Sequence, residues 1–245
     1  MFLVIKTKSL LLFYISYEVS ILPISLIVFL YGYQPEKLRA SLYLLLYTVV
    51  RSLPLFLFIV YCREFSFLST SLLTLPLTLT FIVKTPIYLL HTWLPKAHVE
   101  APVGGSIILA GVMLKLGSYG LLIFLPRVQL NRLLSFYYSM SLLGSIICSL
   151  ICLRQGDMKV LIAYSSVVHI GVVTLGFISG REVGYACGMM MVLRHGVCSP
   201  FLFLFAFCLY ESSHSRLLSH NIISWPLMMS CFLSLVSLNL GVPLD

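Results

Sequence analysis

Apolar runs of about 20 residues, the length that crosses a bilayer as a helix, recur along the chain. They occupy residues 9–30, 41–61, 72–90, 104–125, 133–153, 158–179, 184–209 and 222–242. Short polar connections separate them: YGYQPEKLRA, CREFS, PRVQLNR, RQGDMK, SGREVG and ESSHSRLLSHN. The pattern predicts an all-α integral membrane protein, a bundle of about eight transmembrane helices forming one domain over residues 1–245. Lipid offers exposed backbone no hydrogen-bond partner, so the helices must pack together. The opening MFLVIKTK resembles the charged start of a signal peptide, but the run behind it is too long and carries Glu18 at its centre. It reads as a span.

Composition agrees. Hydrophobic residues make up 60% and charged residues 10%, and the mean hydropathy is +1.03, whereas soluble domains are about 25% charged. The net charge of +8 is scattered in ones and twos with no basic block, which excludes nucleic-acid binding. Seven cysteines (Cys62, Cys148, Cys152, Cys187, Cys198, Cys208 and Cys231) form no CxxC pair and lie nearly all in apolar runs. They read as small buried hydrophobes. Counting Lys and Arg in alternating connections sets Lys6, Lys8, Arg63, Arg127, Arg132 and Arg181 against Lys37, Arg39, Lys96, Arg154, Lys159 and Arg216. With six on each side, the positive-inside rule assigns no orientation.

Three ionisable residues break the apolar pattern near mid-span: Glu18, Lys84 and Lys115. Each costs roughly 2.5 to 3.5 kcal/mol at a helix centre, so such residues face the protein interior and mark ion or proton paths. Pro86 follows Lys84 by two positions, with Pro95 and Pro102 beyond, which predicts a discontinuous helix of the kind that lines ion sites; a simple kink is the alternative. Gly104, Gly111 and Ser118 recur every seven residues around Lys115, so the lysine is expected to face a close neighbouring helix. Glu18 shares a polar stripe with Tyr14 and Ser25, His169 follows Ser165 and Ser166 by a turn, and His195 has Gly188 before it and Ser199 after it. Histidines placed beside buried lysines and a carboxylate suggest a proton relay, with satisfied core histidines as the alternative.

The strings KTPIYLLHTWLPKAHVEAPVGGSIILAGVMLKLGSYG, LRQGDMKVLIAYSSVVHIG and RHGVCSPFLFLFAFCLYESSHSR resemble the antiporter-like membrane subunits of respiratory complex I, and the resemblance runs over essentially the whole chain. Lys96 in WLPKAHVEAP resembles the mitochondrial form. The resemblance implies inverted repeats, each with a broken helix and a central ionisable residue, and a location in the mitochondrial inner membrane. It implies that Glu18 pairs with Lys84 on the broken helix, that Lys115 is the central lysine, and that His91, His169 and His195 belong to the polar axis. Quinone reduction in other subunits would then drive protons across through buried lysines, as part of an NADH:ubiquinone reductase. The partners implied are other membrane-arm subunits and lipid. No cofactor is expected in this chain: it has no GxGxxG after a strand and no cluster-binding cysteine motif, so NADH, flavin, iron–sulfur clusters and ubiquinone fall to other subunits. A cation/proton antiporter subunit and a purely structural membrane subunit are the alternatives.

Two features depart from the family. Its members are nearly twice as long, and NLGVPLD resembles the entry to a second broken helix, so a fragment or a reduced subunit is expected. Arg51 and Arg194 stand where the family carries small residues. Several invertebrate mitochondrial codes read AGA and AGG as serine, and a standard translation would produce arginine at both positions. The same mistranslation would read a tryptophan TGA as a stop after Asp245.

Overall fold

The computed structural model describes residues 10–32, 35–61, 71–125 and 131–221, and these are helical almost throughout. The span expected at 222–242 lies outside them. In chain order the helices are α1 (Leu10–Val19), α2 (Ile21–Tyr31), α3 (Lys37–Tyr61), α4 (Ser71–Lys84), α5 (Trp93–Glu100) and α6 (Val103–Ile108). A π-helical turn, Leu109–Met113, joins α6 to α7 (Leu114–Phe124), and α8 (Asn131–Cys152), α9 (Met158–Ile178) and α10 (Glu182–Ser213) follow. Among the described residues, six helical runs are long and apolar enough to cross a membrane: Leu11–Tyr31, Lys37–Leu57, Val103–Phe124, Ser135–Cys152, Met158–Ile178 and Glu182–Ser213.

A further segment is broken into two pieces. Helix α4 ends at Lys84, the chain turns through residues 85–92, and α5 follows. Pro86 cannot donate to the ladder, and Leu89 adopts φ of 74°, a conformation that costs a non-glycine residue and persists only where surroundings enforce it. The surroundings are on hand. Trp93 Nε1 donates to the Val83 carbonyl at 3.2 Å, tying the two sides of the break together, and Tyr88 rests against Gly144 of α8, where a Cβ would overlap it. The apolar run ends at residue 90, yet helix returns in WLPKAHVE, because burial of Trp93, Leu94, Ala97 and His98 outweighs its polar composition.

Side chains sort inside-out for a bilayer. Leu12, Leu26, Leu46, Leu57, Leu143 and Phe201 point outward, while Phe13, Tyr17, Phe81, Leu121, Phe124 and Phe177 fill one core cluster and Ile24, Leu44, Trp93, Leu109 and Val167 a second. Glycines set the closest approaches. A Cβ on Gly117 of α7 would meet Lys84 and Thr85, and one on Gly120 would overlap the Phe81 ring, so α7 lies directly against the end of α4. Five cysteines among the described residues are free; Cys148 is buried, but Cys187 and Cys208 are exposed, so the expectation of burial fails for residues on the outer face of α10.

The ends of alternate helices gather on one face. Met158 N donates to the Arg216 carbonyl and Leu218 N to that of Gly156, joining the α8–α9 connection to the segment after α10. Lys159 Nζ donates to the Ala101 carbonyl at 3.1 Å, which draws the α5–α6 junction to the same place. We call this the Lys159 face.

Candidate functional site: two buried lysine centres

The first centre forms where α1 meets the end of α4. Glu18 Oε1 lies 3.2 Å from Lys84 Nζ, with Lys84 6% and Glu18 16% exposed. The ammonium also donates to the Tyr17 carbonyl at 3.1 Å and sits 3.2 Å above the centre of the Tyr17 ring. That carbonyl is available because it lies at the junction of α1 and α2, where Ser20 Oγ also donates to it. Counter-charge, carbonyl and aromatic face together offset the cost of removing the ammonium from water. Beside Lys84 a cavity of about 20 Å³, lined by Ile24, Thr48, Trp93, Leu109 and Met113 among others, has room for one water.

The second centre is on α7, directly after the π turn. π turns of this kind occur often at functional sites, and here the Ala110 carbonyl accepts from Lys115 Nζ. The same nitrogen lies 2.7 Å from His195 Nδ1 on α10. Gly196 makes the approach possible, since a Cβ there would stand 3.3 Å from Lys115 Cε, and Gly111 packs against Pro200. The seven-residue stripe is thus used at Gly111 but not at Gly104, around which a Cβ would meet nothing. Ser118 is buried and donates to the Lys115 carbonyl.

The histidines divide. His195 is buried against Lys115, and the His169 ring lies 5.8 Å from it, though His169 itself is exposed on α9 among the described residues. His91 sits in the break, stacked on Tyr88 with centroids 5.3 Å apart and edge-on to Tyr164 at 5.9 Å, and its Nδ1 has no hydrogen-bond partner among the described residues. Glu18 and Lys84 therefore form one unit, Lys115, His195 and His169 another, and His91 stands apart within the break.

A helix broken beside a buried lysine, an acid from a neighbouring span paired with it, and a second lysine on the returning helix are the features against which comparison is informative. The family described as NADH:quinone oxidoreductase/Mrp antiporter, TM, matches residues 7–245. The chain belongs to this family. NADH-ubiquinone oxidoreductase chain 4 of Ceratitis capitata is 42% identical over 98% of the chain and 58% of the relative. That of Albinaria caerulea is 43% identical over 83% and 50%. Among solved structures, respiratory complex I from Thermus thermophilus with bound NADH matches with a TM-score of 0.77 and 28% identity, over 84% of this chain and 48% of that one. The Mrp complex of Dietzia shares the fold at a TM-score of 0.75 and 17% identity, over 87% of this chain and 25% of that one. The chain spans about half to two thirds of the length of these curated relatives.

For this member of the antiporter family, reading the sequence missed three polar residues. His98 and Glu100 are buried on α5, and Lys159 is buried at the start of α9. Lys159 falls in RQGDMK, read as a polar connection, and His98 and Glu100 fall in the segment after the expected break, where the bracketing of KAHVEA by Pro95 and Pro102 was the signal for a short helix.

The two anomalous arginines also have locations. Arg194 is exposed midway along α10, and Arg51 is partly buried with its guanidinium 5.4 Å above the Tyr47 ring. Glu18 is engaged by Lys84, so neither arginine receives it as a partner. A fixed charge at mid-span is costly. Both codons are expected to be AGA or AGG, and peptide mass spectrometry of the native protein is expected to show serine. A CGN codon at either position, or arginine in the peptide, rules the explanation out there.

Proposed function

We propose that this chain is a proton-translocating membrane-arm subunit of mitochondrial NADH:ubiquinone oxidoreductase, resident in the inner membrane. The observation that carries the proposal is the paired arrangement: an ion pair, Glu18 with Lys84, at the end of α4, and on α7, the helix packed against that end, a lysine, Lys115, in contact with a histidine. The Glu18 carboxylate stabilises the ammonium of Lys84; separating the two withdraws that support and favours transfer of the proton onward. The one-water cavity beside Lys84 and the contact of α7 with the end of α4 at Gly117 supply a short route toward Lys115. His195 can then accept at Nδ1 and pass a proton toward His169, since neutral imidazole both accepts and donates. Redox chemistry belongs to other subunits, and this chain's residues hold, exchange and release protons.

Tagged complex from the source mitochondria distinguishes the alternatives. The chain is expected to migrate in a high-mass assembly that oxidises NADH, and vesicles containing it are expected to take up protons when NADH and quinone are supplied. Migration without NADH oxidation, together with sodium-dependent proton exchange, would establish an antiporter subunit instead.

A further inference from the structure

At the first turn of α9 a lysine would ordinarily stand in water, yet Lys159 is only 9% exposed. An ammonium has three donors, and Lys159 gives one of them to the Ala101 carbonyl at 3.1 Å. The residue lines a cavity of about 70 Å³ that it shares with Arg216, Tyr210, Phe207, Ala206 and Val103 among others. Two of the lining residues are cations and none is an acid. The guanidinium of Arg216 sits 5.5 Å from the centre of the Tyr210 ring. Glu100 is within electrostatic reach of Lys159, but it lines the separate groove of about 360 Å³, where Arg39 and Lys96 face Glu36 and Glu100 and neither sign prevails.

The backbone fixes both cations. Met158 N donates to the Arg216 carbonyl and Leu218 N to that of Gly156, so the segment after α10 is held against the start of α9 whatever the Arg216 side chain does. Two like charges beside one partly enclosed space are unfavourable unless a counter-charge joins them. At roughly one water per 10–15 Å³ of such space the cavity has room for several waters, and a tetrahedral phosphate takes the place of a handful of them. The source of that phosphate follows from what lies beyond the mouth. Helices α6 and α10 run antiparallel away from the cavity, from Val103 and Ala206, which line it, to Gly111 and Pro200, which touch. That stretch of α10 is about 9 Å long at 1.5 Å per residue. Over it both helices present apolar side chains outward, Ile108 on α6 and Leu204 and Phe201 on α10. Tyr210, 38% exposed, stands at the cavity as an interfacial aromatic does.

We infer that the cavity between Lys159 and Arg216 binds the phosphate of an anionic phospholipid, whose acyl chain lies along the outward apolar face of α6 and α10. Basic pockets between membrane helices are suited to such head groups. Lys159 has donors to spare after Ala101, and the planar fork of Arg216 suits a phosphate oxygen pair. A lipid supplies the counter-charge and covers the apolar face at once, whereas a free phosphate would supply only the first. The inference concerns what the Lys159 face holds and stands apart from the proton path through Lys84 and Lys115.

The test places the assembly purified from the source membranes in phosphatidylcholine vesicles that carry a small share of phosphatidylglycerol with a photoactivatable group near the top of one acyl chain. Illumination is expected to label α6 and the last turns of α10. Labelling there is expected to fall about fivefold in Arg216→Gln, the effect of one Lys or Arg charge near a lipid surface, and to return in Arg216→Lys. Because the Arg216 carbonyl that holds α9 is unchanged, Arg216→Gln is expected to assemble. Lys159→Gln is expected to lose a similar amount. Equal labelling by the phosphatidylcholine form of the probe, or unchanged labelling in both glutamine variants, overturns the site and leaves only chance lipid contact with an apolar face. Loss of labelling when inorganic phosphate is added at constant ionic strength assigns the cavity to free phosphate and overturns the lipid. Absence of labelling in the unaltered assembly means that a protein segment closes the cavity. If neither glutamine variant assembles, the preference of the unaltered assembly for the phosphatidylglycerol probe over the phosphatidylcholine probe decides the matter.

Discussion

Vesicles carrying Lys115→Ala in the assembled complex are expected to translocate protons at no more than about a tenth of the unaltered rate, since a barrier raised by only about 1.4 kcal/mol slows a step about tenfold. Assembly is expected to be unchanged. Alanine removes the group that joins the Ala110 carbonyl to His195 Nδ1, and it leaves α7 more apolar and easier to insert. Lys115→Arg separates carrier from charge. A guanidinium keeps the positive charge and can reach the same acceptors, but it does not release its proton in proteins, so the Lys115→Arg variant is expected to assemble and fail to translocate. Normal translocation with alanine would leave Lys115 a structural residue.

The ion pair carries the second large effect. Glu18→Gln is expected to reduce the yield of assembled complex on blue-native gels, because breaking a buried pair by neutralising one partner costs roughly 3 to 5 kcal/mol. The Tyr17 carbonyl and ring still hold the ammonium, which places the expected loss toward the lower end. Adding Lys84→Met removes the stranded charge, and the double variant is expected to regain assembly without regaining proton translocation. Full assembly and pumping in the single variant would show that the pair is dispensable. Recovery of pumping in the double variant would make it purely structural.

Much of the site was legible because hydrocarbon is so intolerant of charge. Glu18, Lys84 and Lys115 are conspicuous in runs of Leu, Ile and Phe, and a proline two residues from a buried lysine marks the break. His98, Glu100 and Lys159 were not legible in the same way: the first two lie between apolar runs and the third at the start of one, where polar residues are ordinary. Only the return of the chain as α5 carries His98 and Glu100 inward, and only the hydrogen bond to Ala101 shows that Lys159 is enclosed rather than bathed at the surface. His169, offered by its serine-flanked position as a relay candidate, is exposed among the described residues while its ring lies 5.8 Å from that of His195.

By itself, then, the sequence determined that the chain crosses a membrane many times, that Glu18, Lys84 and Lys115 lie within its spans, and where one helix is interrupted, because a bilayer imposes length and polarity rules on each span independently of its neighbours. Tertiary structure decided which charges meet. Glu18 on α1 and Lys84 at the end of α4 are far apart along the chain and yet form a 3.2 Å pair, Lys115 finds His195 across Gly196, and His98 finds Phe203. Those partnerships depend on how closely helices approach and how each is rotated about its axis. Both are fixed by small residues and core side chains acting between spans, which no single apolar run records.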